Sequence, residues 1–290
     1  MKKALMLCTL ALFCLAPETG AWNRVGHAII AQVAENHMTR KALRKVTEYL
    51  EGQPMAAVAC DPDTYRGAWA MDIGFVASNA EKYRYKWMTD FDFSTPPSVL
   101  PVSHAVTIKA DGTPYRTDRD GDRYIENAAC YIERWAKELK EGAATMDPQE
   151  RYRKLVFMIH LMGDIHCPGH ICFEGRNDIF GKFPVKYRGK ELRYHYFWDY
   201  TIFEKNTIFG YVDGTAMVDR ATRRERKAVT AGDLWDWVKD SAAQSLPAYE
   251  KVPADRELPY AFATDLRPIL YTQLRNAGYR LAALLNDIFR

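Results

Sequence analysis

Apolar residues recur every three to four positions along most of the chain after residue 21, which is the spacing of one face of an α-helix. In VGHAIIAQVAENHM, for example, Val25, Ile29 and Val33 form one stripe. The same spacing predicts further helices over TRKALRKVTEYLEG, IENAACYIERWAKELKEG, MDPQERYRKLVFMIHLMGDIH, AGDLWDWVKDSAAQ and DLRPILYTQLRNAGYRLAALLNDIF.

Residues that begin or end helices stand at the edges of several of these segments. Thr39 is placed to cap the second helix, and Gly52 to stop it. The third segment ends at Gly142. Asp147 is a cap-like residue, and Pro148 occupies a first-turn position, which suits a residue without an N–H. Pro168 ends the apolar run that follows.

Strand signals are few. VTIKADGTPYR predicts a hairpin around Asp111-Gly112, and FPVKYRGKELRY predicts another that turns at Arg188-Gly189. The basic cluster TRRERK, residues 222–227, is more typical of a solvated loop or helix face than of a binding patch. We therefore expect a mainly α fold: a single multi-helix domain with one or two short β-hairpins.

The first 21 residues have the composition of a secretory signal peptide. Lys2 and Lys3 precede the apolar run ALMLCTLALFCLA, and small residues follow at 19–21. A membrane span needs roughly 18 or more apolar residues, and this run is shorter. No other segment is long and apolar enough to span a bilayer. We expect cleavage between Ala21 and Trp22, which leaves a domain over residues 22–290.

The charge balance changes little after this cleavage. Removing residues 1–21 takes away two Lys and one Glu, so the net charge falls from +3 to +2. A nearly neutral chain gives no support to a broad electrostatic footprint for nucleic acid, although a local basic groove is not excluded.

Four cysteines follow residue 21: Cys60, Cys130, Cys167 and Cys172. Export permits disulfides, and this even number fits two bridges with three possible pairings. Cys167 and Cys172 are alternatively metal thiolates, because histidines lie beside them. Their spacing is not CxxC, however, and the histidine–aspartate pattern is complete without them.

Histidine and aspartate are concentrated in HLMGDIHCPGH, residues 160–170. His160 and Asp164 are four residues apart and lie one turn apart on the same helix face. YHYFWDY repeats the spacing with His195 and Asp199. One such pair alone is more often structural, but two pairs together with His170 favour a metal site. Nitrogen and oxygen ligands of this kind suit zinc.

The other histidines have less distinctive settings. His166 is expected to support the site or the fold rather than to ligate, while His37 and His104 are expected to be ordinary surface or packing residues. His27 lies five residues after Trp22. If cleavage exposes the amine of Trp22, its pKa of about 8 allows a metal to displace the proton near neutrality.

These patterns together resemble the zinc-dependent single-strand-specific nucleases of the S-one/P-one type. The resemblance is carried by Trp22-x4-His27, His160-x3-Asp164-x5-His170 and His195-x3-Asp199. HLMGDIHCPGH is similar to the family's HxxGDxHQPxH, and LRYHYFWD to its NLHxxWD. The resemblance covers the whole chain after residue 21. It implies an exported, mainly helical protein related to the zinc phospholipases C.

The resemblance implies three zinc ions, with Asp72 and Asp164 as catalytic residues. Asp72 is assigned through GAWAMDIG, which is similar to the family's WxD segment. The implied ligand sets are Asp72, His160 and Asp164 for the first ion; Trp22, His27 and Asp164 for the second; and His170, His195 and Asp199 for the third.

The chain departs from the family pattern at WMTD, residues 87–90. Asp90 is kept and is expected to read a base. Trp87 replaces a histidine ligand of the first ion, and Met88, expected to pack against a base, replaces an aromatic residue. Phe75 occupies a position where the family has a basic residue. Indole nitrogen cannot ligate zinc, so the first site either takes water, recruits another residue such as His104, or is weakened.

The predicted function is an exported zinc-dependent phosphodiesterase, an endonuclease on single-stranded DNA or RNA that gives 5′-phosphate products, with possible 3′-nucleotidase activity. The alternatives are a phospholipase C-like phosphoester hydrolase, and a zinc-stabilised binding protein that has lost catalysis. Turnover of phosphatidylcholine or of single-stranded DNA separates the first two. We expect a monomer in the periplasm or the medium.

Overall fold

The computed structural model describes residues 22–63, 104–115, 119–120, 123–124, 127–174 and 183–290; for 119–120 and 123–124 it describes the backbone alone. The predicted positions Asp72, Phe75, Trp87, Met88 and Asp90 lie outside these residues, as does the predicted signal peptide.

The described part of the chain is mainly helical, as predicted. The helices are α1 Arg24–His37, α2 Arg40–Tyr49, α3 Met55–Val58, α4 Ala128–Gly142, α5 Pro148–Asp164, α6 Tyr194–Tyr196, α7 Ile202–Lys205, α8 Tyr211–Val218, α9 Arg223–Val229, α10 Leu234–Glu250, α11 Phe262–Asp265 and α12 Arg267–Ile288. A 3-10 turn covers Pro168–His170, and a π turn covers Phe197–Thr201. The strands are β1 Val106–Ile108, β2 Arg119–Asp120, β3 Arg123–Tyr124, β4 Ile171–Phe173, β5 Pro184–Tyr187, β6 Lys190–Arg193 and β7 Glu257–Leu258.

The predicted helix starts are confirmed by their caps. The side chain of Thr39 accepts a hydrogen bond from the backbone N–H of Ala42. Asp147 accepts from the N–H groups of the first turn of α5, with Pro148 at the start of the helix. Each cap satisfies N–H groups that have no partner within the helix.

The predicted ends are close to the observed ones. Helix α4 ends at Gly142, as expected. Helix α2 ends at Tyr49, three residues before the predicted stop at Gly52. Gly52 closes the turn in the left-handed region, with φ of +82°, and its N–H donates to Thr47 O at 2.8 Å. Glycine adopts this backbone conformation without steric cost.

Helix α5 is the central helix of the fold. It packs against α1, α2, α4 and α12. Every residue from Lys154 to Asp164 is buried. Because other elements cover this part of the helix on all sides, its polar residues His160 and Asp164 lie in the interior of the protein.

One predicted hairpin is present as β5 and β6, and the segment around Asp111-Gly112 forms a turn closed by a single antiparallel bridge between Ile108 and Pro114. Two parallel strand pairs were not predicted. Strands β5 and β6 are antiparallel, and the turn residues Arg188 and Gly189 have φ of +52° and +79°. Parallel pairing joins β1 to β4 and β5 to β7. The β1–β4 pair sets Val106 opposite Ile171. It therefore brings the residues just before β1 close to the 3-10 turn that precedes β4.

One expectation about the surface also agrees with the structure. The basic cluster forms α9, which has no buried residue. Among the residues that the structure describes, no helix is long and apolar enough to cross a membrane.

Candidate metal centre

The predicted ligands His27, His160, Asp164, His170, His195 and Asp199 are brought together from four parts of the chain. His27 lies on α1, and His160 and Asp164 lie on α5. His170 ends the 3-10 turn, and the last pair lies across α6 and the π turn. All of these side chains are buried except His195, which is 20% exposed.

A first group is formed by His104, His160 and Asp164. His104 Nδ1 lies 2.8 Å from Asp164 Oδ2 and 3.1 Å from His160 Nε2. His160 Nε2 lies 3.2 Å from the same carboxylate oxygen. The i, i+4 pair on α5 is thus completed by a histidine that approaches from outside the helix.

A second group is formed by His27, Asp63 and His160. Asp63 Oδ1 lies 3.3 Å from His160 Nε2, and Asp63 Oδ2 lies 3.9 Å from His27 Nε2. The rings of His27 and His160 stack with centroids 4.0 Å apart. Gly163 permits this approach, because a Cβ atom at that position would lie 2.8 Å from His27 Nδ1.

A third group is formed by His170, His195 and Asp199. His195 Nε2 lies 3.0 Å from His170 Nε2 and 3.1 Å from Asp199 Oδ2. The second predicted i, i+4 pair therefore lies beside the histidine that follows Pro168.

The donor atoms of each group fit a metal ion in their spacing. Within each group they all lie within 4.8 Å of one another. Ligands about 2.0–2.1 Å from a tetrahedral zinc ion are themselves separated by about 3.3 Å. The separations between donor atoms described above fall around this value.

Hydrogen bonding also fits metal binding. Neither ring nitrogen of His27 has a hydrogen-bond partner among the described residues, and the same holds for Asp63 Oδ1 and Asp199 Oδ1. Such buried polar atoms are costly unless something binds them. His160 Nδ1 lies 2.8 Å from Ala59 O, and His170 Nδ1 lies 2.5 Å from His104 O. These carbonyls accept a hydrogen bond from the Nδ1–H group, which leaves Nε2 of each ring as the ligand atom.

Burial and neighbouring charges shift the pKa values of the residues in the centre in opposite directions. Burial lowers the pKa of His27 well below its usual value, and the neighbouring His160 lowers it further. Burial acts likewise on His160, but Asp164 and Asp63 prevail and raise its pKa well above the usual value. Burial raises the pKa of Asp199 to about 8. Closely packed groups with such displaced pKa values are typical of functional sites.

Two residues in these groups were not predicted as ligands. His104, expected to be an ordinary surface or packing residue unless the first site recruits it, is buried within the first group. Its recruitment to the first site stays a prediction, which the 3.1 Å between its Nδ1 and His160 Nε2 supports. Asp63, in the helical stretch 61–63, contributes a carboxylate that the sequence patterns did not single out. Neither residue has another ligand four positions away, so the spacing that identified the other ligands in the sequence does not identify these two.

Trp22 is fully buried beside the centre. Its indole Nε1 donates to Gly163 O at 3.0 Å, next to Asp164. The N–H of the next residue, Asn23, donates to Asp199 O at 3.2 Å. The start of the described chain is thereby fixed between the second and third groups.

His166 and the cysteines contribute to none of the three groups. His166 is buried and contacts Met162 O and Arg280 instead, which agrees with the predicted supporting role. The expected disulfides are not shown, so their pairing stays a prediction. Cys60, Cys167 and Cys172 are buried, and Cys130 is partly exposed.

Comparison with known proteins gives matches over nearly the whole chain. The family described as S1/P1 Nuclease matches residues 22–290. Endonuclease 2 of Arabidopsis thaliana is 26% identical, over 98% of this chain and 96% of the relative. Nuclease S1 of Aspergillus oryzae is 26% identical, over 96% of this chain and 95% of the relative. Endonuclease 4 of Arabidopsis thaliana is 22% identical, over 92% of this chain and 89% of the relative.

Proposed function

Because the chain belongs to the S1/P1 nuclease family, we propose that it is a zinc-dependent endonuclease that cleaves single-stranded DNA or RNA. The products would be 5′-phosphorylated fragments, and 3′-nucleotides would be a second substrate. The observation that carries this proposal is the overlap of the first and second ligand groups: His160 belongs to both, and Asp164 of the first group also lies 3.4 Å from His27 of the second.

Asp164 has the geometry of a shared ligand. Its Oδ2 lies 2.8 Å from His104 Nδ1, while its Oδ1 lies 3.4 Å from His27 Nε2. The two oxygens therefore face different groups. Asp63 is similar: its Oδ1 lies 3.6 Å from His104 Nδ1 of the first group, and its Oδ2 lies 3.9 Å from His27 Nε2 of the second. Both carboxylates would therefore supply oxygen ligands to zinc at the first and second groups.

When bound, zinc ions would lower the pKa of a water toward neutrality and offset the negative charge that develops on the phosphate oxygens. The chain's own part is to orient and enclose the centre. Backbone carbonyls fix the rings of His160 and His170, and burial excludes water from their far sides. His195 is the most exposed of the described ligands, so the phosphodiester would enter from its side. Asp90 and Met88 remain the predicted contacts to the base.

We further propose that the active protein is exported, as a periplasmic or secreted monomer beginning at Trp22. The family match starts at this residue, which supports cleavage before it. Its indole is anchored within the centre, so a free amine at Trp22 would be close to His27 and Asp164. If the protein is exported, disulfides between the four cysteines are expected as well, because the compartment is oxidising.

The function is tested with protein that begins at Trp22, purified with zinc and assayed on single-stranded DNA, double-stranded DNA and phosphatidylcholine. Cleavage of the single strand that is lost on chelation and restored by zinc supports the proposal. Hydrolysis of phosphatidylcholine alone would favour the phospholipase C-like alternative. A folded, zinc-loaded protein that cleaves none of these would contradict a catalytic function.

A further inference from the structure

A buried arginine on the last helix lies behind the metal centre. Arg280 of α12 is 3% exposed and is held by groups from several elements. Its Nη2 forms an ion pair with Asp240 of α10. Its Nε donates to Val229 O at 3.1 Å, and its Nη1 lies 2.9 Å from His166 Nε2. Burying a guanidinium is costly even when it is paired, and a well-packed apolar side chain would join these helices at no such cost.

The partners of His166 determine its protonation. A guanidinium only donates hydrogen bonds, so His166 Nε2 must accept from Arg280. Met162 O only accepts, so His166 Nδ1 must carry the proton and donate to it, at 2.8 Å. The imidazole is therefore neutral, with one defined tautomer, and it connects Arg280 to the backbone of α5.

This connection acts on the turn that carries a shared ligand. Met162 O belongs to the last turn of α5, whose carbonyls have no partner within the helix. Asp164 is the last residue of that helix, two positions before His166. Metal ligands must be held to within about 0.5 Å of their productive positions, and a helix end without further contacts frays.

We propose that His166 and Arg280 are positioning residues for the metal centre. They hold the end of α5 against α10 and α12, so that both oxygens of Asp164 point at their separate groups of histidines. This inference rests on the proposed zinc-dependent function. Neither residue ligates the metal or touches the substrate.

The test is the zinc affinity and stoichiometry of His166→Phe, measured by competition with a chromophoric chelator. Phenylalanine keeps the ring but removes both hydrogen bonds. We expect zinc to bind about 10–100-fold more weakly, the usual effect of losing a group that orients a ligand. The visible spectrum after replacement of zinc by cobalt(II) should also change, because Asp164 coordinates differently.

The matched control is Gln273→Met. Gln273 is buried on the same helix as Arg280 and also bonds to α10, through Ser241 and Ser245 at 2.8 Å each; within the described residues, none of its side-chain hydrogen bonds goes to α5. We expect this variant to lose thermal stability and to keep its zinc affinity and cobalt spectrum. An equal loss of zinc affinity in both variants would overturn the inference, since loosening of the helices would then be sufficient.

A milder variant covers the case in which His166→Phe does not fold. Arg280→Lys keeps the charge beside Asp240, but one ammonium group cannot replace all the contacts of the guanidinium. We expect an intermediate loss of zinc affinity; wild-type affinity in this variant would overturn the inference. Wild-type protein that binds no zinc would instead overturn the proposed function itself.

Discussion

His104 Nδ1 and His160 Nε2 lie 3.1 Å apart, although 56 residues separate them in the sequence. His104 lies two residues before the first residue of β1, and His160 lies on the central helix α5. The parallel pairing of β1 with β4 places the backbone of His104 against His170, whose Nδ1 lies 2.5 Å from His104 O. One residue thus supplies a ring nitrogen to the first group and a carbonyl that orients the third.

We expect His104→Ala to lose one zinc ion and to reduce cleavage by about 10²–10³-fold, comparable to the loss of a preorganised electrostatic group. Zinc content by elemental analysis and initial rates on single-stranded DNA measure both effects. The control is His37→Ala. His37 bonds to Asp219 at 2.8 Å and lies in none of the three groups, so its loss should affect stability alone. Full zinc content in His104→Ala would contradict the assignment.

Asp63 and Asp72 are competing assignments for the carboxylate that accompanies His160. Sequence resemblance favours Asp72, whereas the structure sets Asp63 Oδ1 3.3 Å from His160 Nε2. We expect Asp63→Asn to weaken zinc binding at both groups that contain His160, because it replaces an anionic oxygen ligand with a neutral one. Asp72→Asn should bind zinc as the wild type does. Isothermal titration of the two variants side by side decides between them, and the reverse pattern would restore the sequence-based assignment.

The free amine of Trp22 is testable without changing any side chain. A single glycine left before Trp22 moves the α-amine by one residue, whereas the indole stays anchored on Gly163 O. We expect this extension to reduce zinc content by one ion. Mass spectrometry under native conditions counts the ions. Unchanged zinc content in the extended protein would argue against a ligand at the amine.

How much of this centre could be predicted depends on how its residues are connected in the chain. His160 with Asp164 and His195 with Asp199 were predictable, since a helix fixes the geometry of residues four apart. His104 and Asp63 were not, because tertiary contacts bring them in: a parallel strand pair places His104, and Asp63 lies in a helical stretch that includes residues 61–63. These contacts join residues that are distant in the sequence, so they become visible only in the folded structure.

The elements of the fold also divide into those with a local sequence signal and those that depend on distant contacts. The long amphipathic helices and their caps, such as Asp147 of α5, were predictable because the signal is local. The short helices, such as α7 and α11, were missed because four residues are too few to show a period. Parallel strand pairing was missed because its partners are distant in sequence, as in Lys186 opposite Glu257.

A partly exposed hydrogen-bonded cluster at the end of α1 predicts how stability depends on pH. Asp219 accepts hydrogen bonds from Asn36, His37 and Tyr279. Burial opposes ionisation, but these bonds prevail and lower the pKa of Asp219. Burial and the bond to Asp219 raise the pKa of Tyr279 to about 12.

These two pKa shifts determine the pH range over which each residue stabilises the folded protein. A lowered folded pKa means that Asp219 stabilises the fold above its unfolded pKa of about 3.9 and loses this effect as the pH falls further. A raised folded pKa means that Tyr279 stabilises the fold below its unfolded pKa of about 10 and loses this effect as the pH rises to about 12.

We therefore expect Asp219→Ala to lower the free energy of unfolding by about 1–3 kcal/mol at neutral pH, since it leaves the buried hydroxyl of Tyr279 without its acceptor. The difference from wild type should shrink below about pH 4, where Asp219 would be protonated in the unfolded wild type. Urea unfolding of both zinc-free proteins over a pH series measures it. A difference that stays constant down to pH 2 would contradict the expected ionisation.

Asp164 supports the most direct test of the central claim, because it is the carboxylate that the groups share. Wild-type protein beginning at Trp22 and its Asp164→Ala variant are each loaded with zinc and given single-stranded DNA, and bound zinc and cleavage are measured on the same samples. We predict cleavage by the wild type alone, abolished by chelation, and a variant that has lost more than one zinc ion together with its activity. Full activity or full zinc content in Asp164→Ala would contradict a metal centre built around this residue.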